Sequence, residues 1–473
     1  MRGSPGEVHA VLRLVTSETN RGDAPAPVMS ARSMGVALCG LLLVLVLVGG
    51  CSDSLTEPLV DEPDTASETP FILASVAPPT VGCVDDVLPS SALSRICFPP
   101  DWNGDVVLWA HGYVSPFDDV ALPDDEIDGQ SIEAIVLGLR FAYATTSYNR
   151  NGLVAVDAVT DLVQLSQAVR AMAPVRFTYL VGASEGGLAA ALASERAAAH
   201  FDGSLIACAP VGSFRAQINY FGDVRVLFDY FFPGVLPGSP ISIPAAVPPA
   251  WDGVFEPAIR LALAGNPSAT AQLIRAGGIA VDPADPASAI ESIVDALWYN
   301  VFATNDARLQ LGGGNPYDNR LKWYTGTSRD FLLNLRIARF RADASALSAL
   351  QPYEASGALR LPSQMIHTRY DPVIPFWQAQ LYQTEALFRS GLQLLSVPSD
   401  NYGHCAFETE EVLASFAVLV LRVTLRNLIA PETVFPDARS AAKFLTLAEA
   451  GGARPEIWSA ARIRDAVTRV DSR

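Results

Sequence analysis

Histidine is scarce in this chain, with five residues among 473, at positions 9, 111, 200, 367 and 404. Any chemistry that needs an imidazole therefore has few candidates. Cysteine is nearly as sparse, at six, and no CxxC pair or Cys/His cluster has the spacing of a zinc site, so no metal and no other cofactor is expected. Basic residues are outnumbered, 33 Lys and Arg against 50 Asp and Glu, for a formal charge of -17. No cluster of Lys and Arg offsets this, which excludes the electrostatic footprint of a nucleic-acid binder and leaves the acidity as a solubilising surface charge. Internal repeats are missing too. What is abundant is apolar surface: half of the residues are hydrophobic, enough to bury a large core in one big domain carrying an insertion.

The longest apolar run, Gly35 to Gly50, follows Arg32 and ends at Cys51 before the polar Ser52-Asp53-Ser54. Short, with small residues at its end, it reads as an export signal rather than a spanning helix. The Val48-Gly49-Gly50-Cys51 junction resembles a bacterial lipoprotein lipobox, which implies a lipidated Cys51 as the first mature residue and a membrane partner through that lipid; an ordinary secretory signal or a retained anchor helix are the alternatives. Residues 1–28 are mixed in charge and contain proline, so Met29 or Met34 competes with Met1 as the start. Residues 1–50 are thus a leader, and 51–79, rich in Asp, Glu, Thr, Ser and Pro, a flexible tether.

With Cys39 in the leader and Cys51 assigned to lipid, Cys83, Cys97, Cys208 and Cys405 remain. Their even number suits an oxidising compartment, and four cysteines allow three pairings. Cys83 with Cys97, close in sequence, is the favoured pair, which leaves Cys208 for Cys405; four separate buried thiols are the alternative.

Gly182-Ala183-Ser184-Glu185-Gly186-Gly187 follows the apolar run Phe177 to Val181 and leads into an alanine-rich stretch to Ala199. A strand that turns sharply into a helix with serine at the bend lifts the hydroxyl out of the fold as a nucleophile. Glycines two before and two after, Gly182 and Gly186, let strand and helix pass closely. Further strand-like runs lie at Ser94 to Phe98, Val106 to Ala110, Phe141 to Thr146, Ser204 to Ala209, Gln364 to Thr368 and Leu392 to Val397. Helical stripes run over Val156 to Met172 and Glu410 to Val423, the latter with Thr409 as its N-cap. The alternation predicts an α/β fold with a mostly parallel sheet covered by helices on both faces. Core residues 80–212 and 362–430 are interrupted by residues 213–361, which carry helical segments at Val254 to Ala264 and Ala287 to Phe302 among proline-rich turns and are read as a largely helical cap; residues 431–473 form a C-terminal extension. Most of the cap's aromatic residues should pack the cap itself, and a few should line an apolar cleft.

A serine hydroxyl needs an imidazole to take its proton and a carboxylate to orient that imidazole. His404 stands in the turn-forming Asp400-Asn401-Tyr402-Gly403-His404-Cys405, between a strand and a helix. Asp371 follows the strand ending at Thr368 and precedes Pro372 and Pro375, which fix the loop's exit; Asp400 is a rival acid. His367 reads as a core histidine, and His111, in Val106 to Tyr113, as a loop-fixing one.

The His111-Gly112 loop, the GxSxG elbow, the Asp371-Pro372 loop and the terminal His404, taken in order, resemble the α/β-hydrolase superfamily, with a texture similar to secreted bacterial hydrolases. That resemblance implies Ser184 as nucleophile, His404 as base, Asp371 as acid, and an oxyanion hole from the backbone amides of Tyr113 and Glu185. It implies a serine hydrolase acting on carboxylic esters through an acyl-enzyme, without naming a substrate; the apolar cleft expected from the cap's aromatic residues points to a small apolar or aromatic ester. A serine peptidase or amidase with the same residues, or a non-catalytic ligand-binding lipoprotein, is the alternative.

Overall fold

The computed structural model describes residues 80–424. The leader, Cys51, the tether and the C-terminal extension lie outside the described residues. Eight strands form the main sheet: β1 (Gly82–Val87), β2 (Leu93–Phe98), β3 (Val106–Ala110), β4 (Ala142–Thr146), β5 (Thr178–Ala183), β6 (Gly203–Ala207), β7 (Ser363–Tyr370) and β8 (Leu394–Tyr402). Their spatial order is β1-β2-β4-β3-β5-β6-β7-β8. Strand β2 runs antiparallel to both β1 and β4, and the remaining pairs are parallel.

A strand's period of two sorts the apolar residues between two helical layers. On β3, Val106, Leu108 and Ala110 face one core with α2 (Ala155–Met172), α3 (Glu185–Arg196) and α10 (Trp377–Ser390), while Val107 and Trp109 face the other with α1 (Ile132–Gly138) and α11 (Thr409–Thr424). Fully burying a side chain such as Leu108 contributes about 2 kcal/mol. Because both faces are covered, the strands read as unbroken apolar runs rather than as alternations, and that made them visible in the sequence.

Strand β1 had no sequence signal. Its six residues are all exposed, and its register places Cys83 directly opposite Cys97, to which it is disulfide-bonded. The N-cap reading at Thr409 also needs correction. Thr409 is the first residue of α11 and its hydroxyl donates to the Ile127 carbonyl at 3.4 Å, while the Glu411 carboxylate accepts the Glu408 amide at 3.1 Å.

Between β6 and β7 lie α4 (Phe214–Phe231), α5 (Glu256–Gly265), α6 (Pro267–Gly277), α7 (Ala289–Gln310), α8 (Asp330–Arg336) and α9 (Ala344–Leu350). Helices α4 to α8 enclose a third apolar core around Phe228, Trp251, Leu273 and Leu297. From Ala346 to Leu361 the chain packs instead with the α2–α3 layer, so the apolar residues there serve the sheet rather than the inserted helices.

Candidate active site

Ser184 sits between β5 and α3 with φ 55° and ψ -121°. A non-glycine residue held there is strained, and the packing around it must impose the conformation. Two glycines permit the close crossing. A Cβ on Gly182 would overlap the Gly186 carbonyl, and one on Gly186 would overlap the carbonyl oxygens of Ala110 and His111 at the end of β3. The doubled glycine has its own reason, since a Cβ on Gly187 would stand 2.7 Å from both the Ala207 carbonyl oxygen and the Ala209 side chain. Helix α3 can lie this near the sheet because Ala189, Ala190, Ala191 and Ala193, all buried, present nothing larger than a methyl group.

The ends of β7 and β8 bring two more groups to the same place. His404 Nε2 lies 2.9 Å from Ser184 Oγ, and His404 Nδ1 lies 2.8 Å from Asp371 Oδ2. An ionised carboxylate only accepts, so Nδ1 carries the proton and Nε2 is left to accept from the serine hydroxyl. Asp371 is fully buried, and its other oxygen accepts the amides of Val373 and Ile374, each at 2.8 Å. Pro372 and Pro375 narrow the loop's conformations around those bonds. Serine, aspartate and histidine thus follow β5, β7 and β8, in the chain order that accompanies a GxSxG elbow. The fold is that of the α/β-hydrolases.

The hydrolase fold also brings the β3 loop against the elbow. A Cβ on Gly112 would meet Ser184 Cβ at 3.3 Å and Oγ at 3.8 Å, so the backbone leading into Tyr113 runs directly alongside the hydroxyl. From the other side, the Glu185 amide opens α3, whose first turn has no intrahelical acceptors. His111 is buried in that loop, stacked on Tyr148 with ring centroids 4.1 Å apart, and its Nδ1 lies 2.8 Å from the Gly112 carbonyl; burial holds its basicity below the ordinary range. His367 Nε2 donates to the Ile374 carbonyl at 2.8 Å and lies 3.9 Å from Asp371, bracing the acid loop from within the core. Asp400 is turned outward to Arg369 at 2.7 Å, away from His404 Nδ1.

A disulfide joins Cys405 to Cys208, just beyond β6, so the loop bearing His404 is fastened to the sheet across a separation of 197 residues. Both cysteines adopt positive φ, 53° and 44°. Two further braces had no sequence signal. Gln217 Nε2 donates to the Val373 carbonyl at 2.7 Å and the Tyr220 hydroxyl to the Pro372 carbonyl at 2.6 Å, so helix α4 holds the acid loop from above. Nothing local to α4 in the sequence shows which loop the helix meets. On α7, Tyr299 stands edge-on to His404 at 6.3 Å, and burial pushes nearby Asp295 up to about 6.

The Glu185 carboxylate turns away from Ser184. Its Oε1 accepts the amides of Val154 at 2.8 Å and Ala155 at 3.1 Å at the start of α2, and its buried Oε2 has no hydrogen-bond partner. Burial pushes this carboxyl from 4.5 up to about 7, against the pull of the two amides. A folded pKa above the unfolded one means that the native state holds the proton more tightly. The resulting stability is full below pH 4.5 and is lost as pH rises toward 7, about 3 kcal/mol over the interval. Glu185→Gln keeps the amide oxygen for both backbone donors and does not titrate. Urea melts at pH 4.5 and 7.5 should therefore show the variant losing about 3 kcal/mol less than the parent; equal losses would remove Glu185 as the cause.

No family model and no curated protein matches this chain. Among solved structures, the chain is similar to lipase A from Candida antarctica (12% identity, 77% of this chain and 85% of that one, TM-score 0.40). It is also similar to feruloyl esterase B from Aspergillus oryzae (13% identity, 72% and 80%, TM-score 0.39) and to the rice cell wall degrading esterase LipA from Xanthomonas oryzae (12% identity, 72% and 89%, TM-score 0.35).

Proposed function

We propose that this protein is a serine hydrolase that cleaves carboxylic esters through an acyl-enzyme. The observation that carries the reading is the continuous relay from Ser184 Oγ through His404 to the buried Asp371, with bonds of 2.9 and 2.8 Å. In the first half-reaction, His404 Nε2 takes the serine proton as Oγ attacks the ester carbonyl, and Asp371 stabilises the imidazolium that results. The carbonyl oxygen, now negative, is held by the Tyr113 and Glu185 amides, whose chain segments flank Ser184. The imidazolium then returns the proton to the departing alcohol, and water repeats the sequence to free the acid and regenerate the serine. An apolar cavity beside Ser184, lined by Phe214, Ile218, Phe221 and Ile374, suits an apolar acyl group.

We further propose export and lipid anchoring at Cys51, supported by the Gly35 to Cys51 pattern. Among the described residues no helix is long and apolar enough to cross a membrane. One preparation tests both parts. The full chain, isolated from the membranes of a bacterial host, should turn over p-nitrophenyl esters and take one fluorophosphonate per molecule on the peptide bearing Ser184. Its mature chain should begin at an acylated Cys51. An adduct on another residue, or none, removes the proposed nucleophile, and a different mature terminus removes the anchor.

A further inference from the structure

The cavity at Ser184 is about 90 Å3, and a pair of aromatic rings forms part of its wall. Phe221 of α4 and Tyr299 of α7 stack with centroids 5.2 Å apart and planes within 6°. Behind them lies a second cavity of about 50 Å3 that shares Ile218, Phe221, Tyr299, Ala303 and Ala307 with the first and adds Asn300, Arg308 and Asn315. These five shared residues are therefore a partition between two chambers, only the nearer of which reaches the nucleophile.

The nearer chamber includes Ser184 and Tyr113 in its walls but not His404. The leaving alcohol must receive its proton from the imidazole, so it departs on the His404 side. The acyl group, bound to Ser184 with its oxygen toward the Tyr113 loop, is the part that enters this chamber. Its walls are almost wholly apolar. The amide nitrogen of Gln217 is committed to the Val373 carbonyl and its oxygen to Gln378, while Glu185 commits Oε1 to the amides at the start of α2.

Building on the ester-hydrolase reading, we propose that the Phe221–Tyr299 stack is a ruler that restricts the substrate to short-chain acyl esters, with about four acyl carbons as the limit. The scale is that of a benzene molecule, whose six carbons occupy a cavity of about 150 Å3, or about 25 Å3 per carbon. At that scale the nearer chamber, about 90 Å3, takes three to four carbons, and the second chamber, about 50 Å3, would add two more if the partition were opened.

The test is kcat/KM on p-nitrophenyl acetate, butyrate, hexanoate and octanoate, a series with a constant leaving group. The parent protein should prefer butyrate and lose about tenfold or more on passing to hexanoate, the discrimination typical of a tight apolar pocket. Phe221→Ala opens the partition and should raise the hexanoate-to-butyrate ratio about tenfold. Ala303→Phe thickens it and should raise the acetate-to-butyrate ratio by a similar factor. The parent profile decides without any variant: octanoate cleaved as well as butyrate overturns the ruler. So do ratios that stay fixed in both variants while each melts cooperatively and its Ser184 still takes the fluorophosphonate. A parent that cleaves none of the four esters and resists the probe instead refutes the hydrolase reading, and the ruler with it.

Discussion

Replacing Ser184 by alanine should lower kcat on p-nitrophenyl butyrate by about 10⁶-fold, and Asp371→Asn by about 10⁴-fold, with much smaller changes in KM. The serine result follows because no other hydroxyl is bonded to His404 Nε2 among the described residues. The aspartate result follows from the donors around its carboxylate. In the native chain Oδ1 accepts two backbone amides and Oδ2 faces His404 Nδ1, so both oxygens are required as acceptors. An asparagine has only one oxygen. Turned toward Val373 and Ile374, it leaves its NH2 group against Nδ1, which must then give up its proton. The ring's remaining proton sits on Nε2, aimed at Ser184 Oγ, and the imidazole cannot act as a base. Turned the other way, the NH2 group opposes two N–H donors in a fully buried loop, an uncompensated polar burial. Steady-state kinetics with a folded-state check by thermal melt measures both variants. A loss below about 10²-fold in Asp371→Asn would mean that the carboxylate does not set the ring's tautomer.

The parts of this arrangement that were legible in the sequence share one property, which is that their geometry is enforced locally. The elbow could be read because the crossing of β5 and α3 demands glycine at 182 and 186 within a single turn of chain. Asp371 could be read because Pro372 and Pro375 frame a loop that immediately follows a strand. The buried strands β3 to β6 showed as apolar runs for the same reason that they lie between two helical layers. What escaped depends on partners distant in sequence. Strand β1 is exposed throughout and exists only by pairing with β2. Gln217 and Tyr220 are ordinary members of an amphipathic helix until they meet the carbonyls of Val373 and Pro372, more than 150 positions away. The aromatic residues of the inserted helices gave a composition without an address, and only the packing of α4 on α7 distinguishes Phe221 and Tyr299, which border the Ser184 cavity, from Phe228 and Trp251, which fill the third core.

Gly186→Ala should cost stability on the order of 4 kcal/mol or prevent folding, a larger effect than most single substitutions produce. The methyl group it adds would overlap the carbonyl oxygens of Ala110 and His111, and these are backbone atoms. They cannot swing aside as a side chain would, because Ala110 is paired to Gly182 across β3 and β5 and the His111 carbonyl is held by the Tyr148 hydroxyl at 3.0 Å. Relief requires either β3 to shift in the sheet or α3 to lift from it, and lifting α3 opens voids beneath Leu188, Ala189 and Leu192 in the core. Either movement also displaces the Glu185 amide and the Ser184 hydroxyl, so residual folded protein should label slowly with fluorophosphonate. Gly138→Ala is the control. No atom lies within 4 Å of a Cβ built there, at the end of α1, so the substitution should be neutral or stabilise by up to about 1 kcal/mol. Urea denaturation of the two variants beside the parent measures the contrast. A Gly186→Ala chain as stable as Gly138→Ala would mean that the elbow is not held by contact with the end of β3, and the strained φ at Ser184 would need another source.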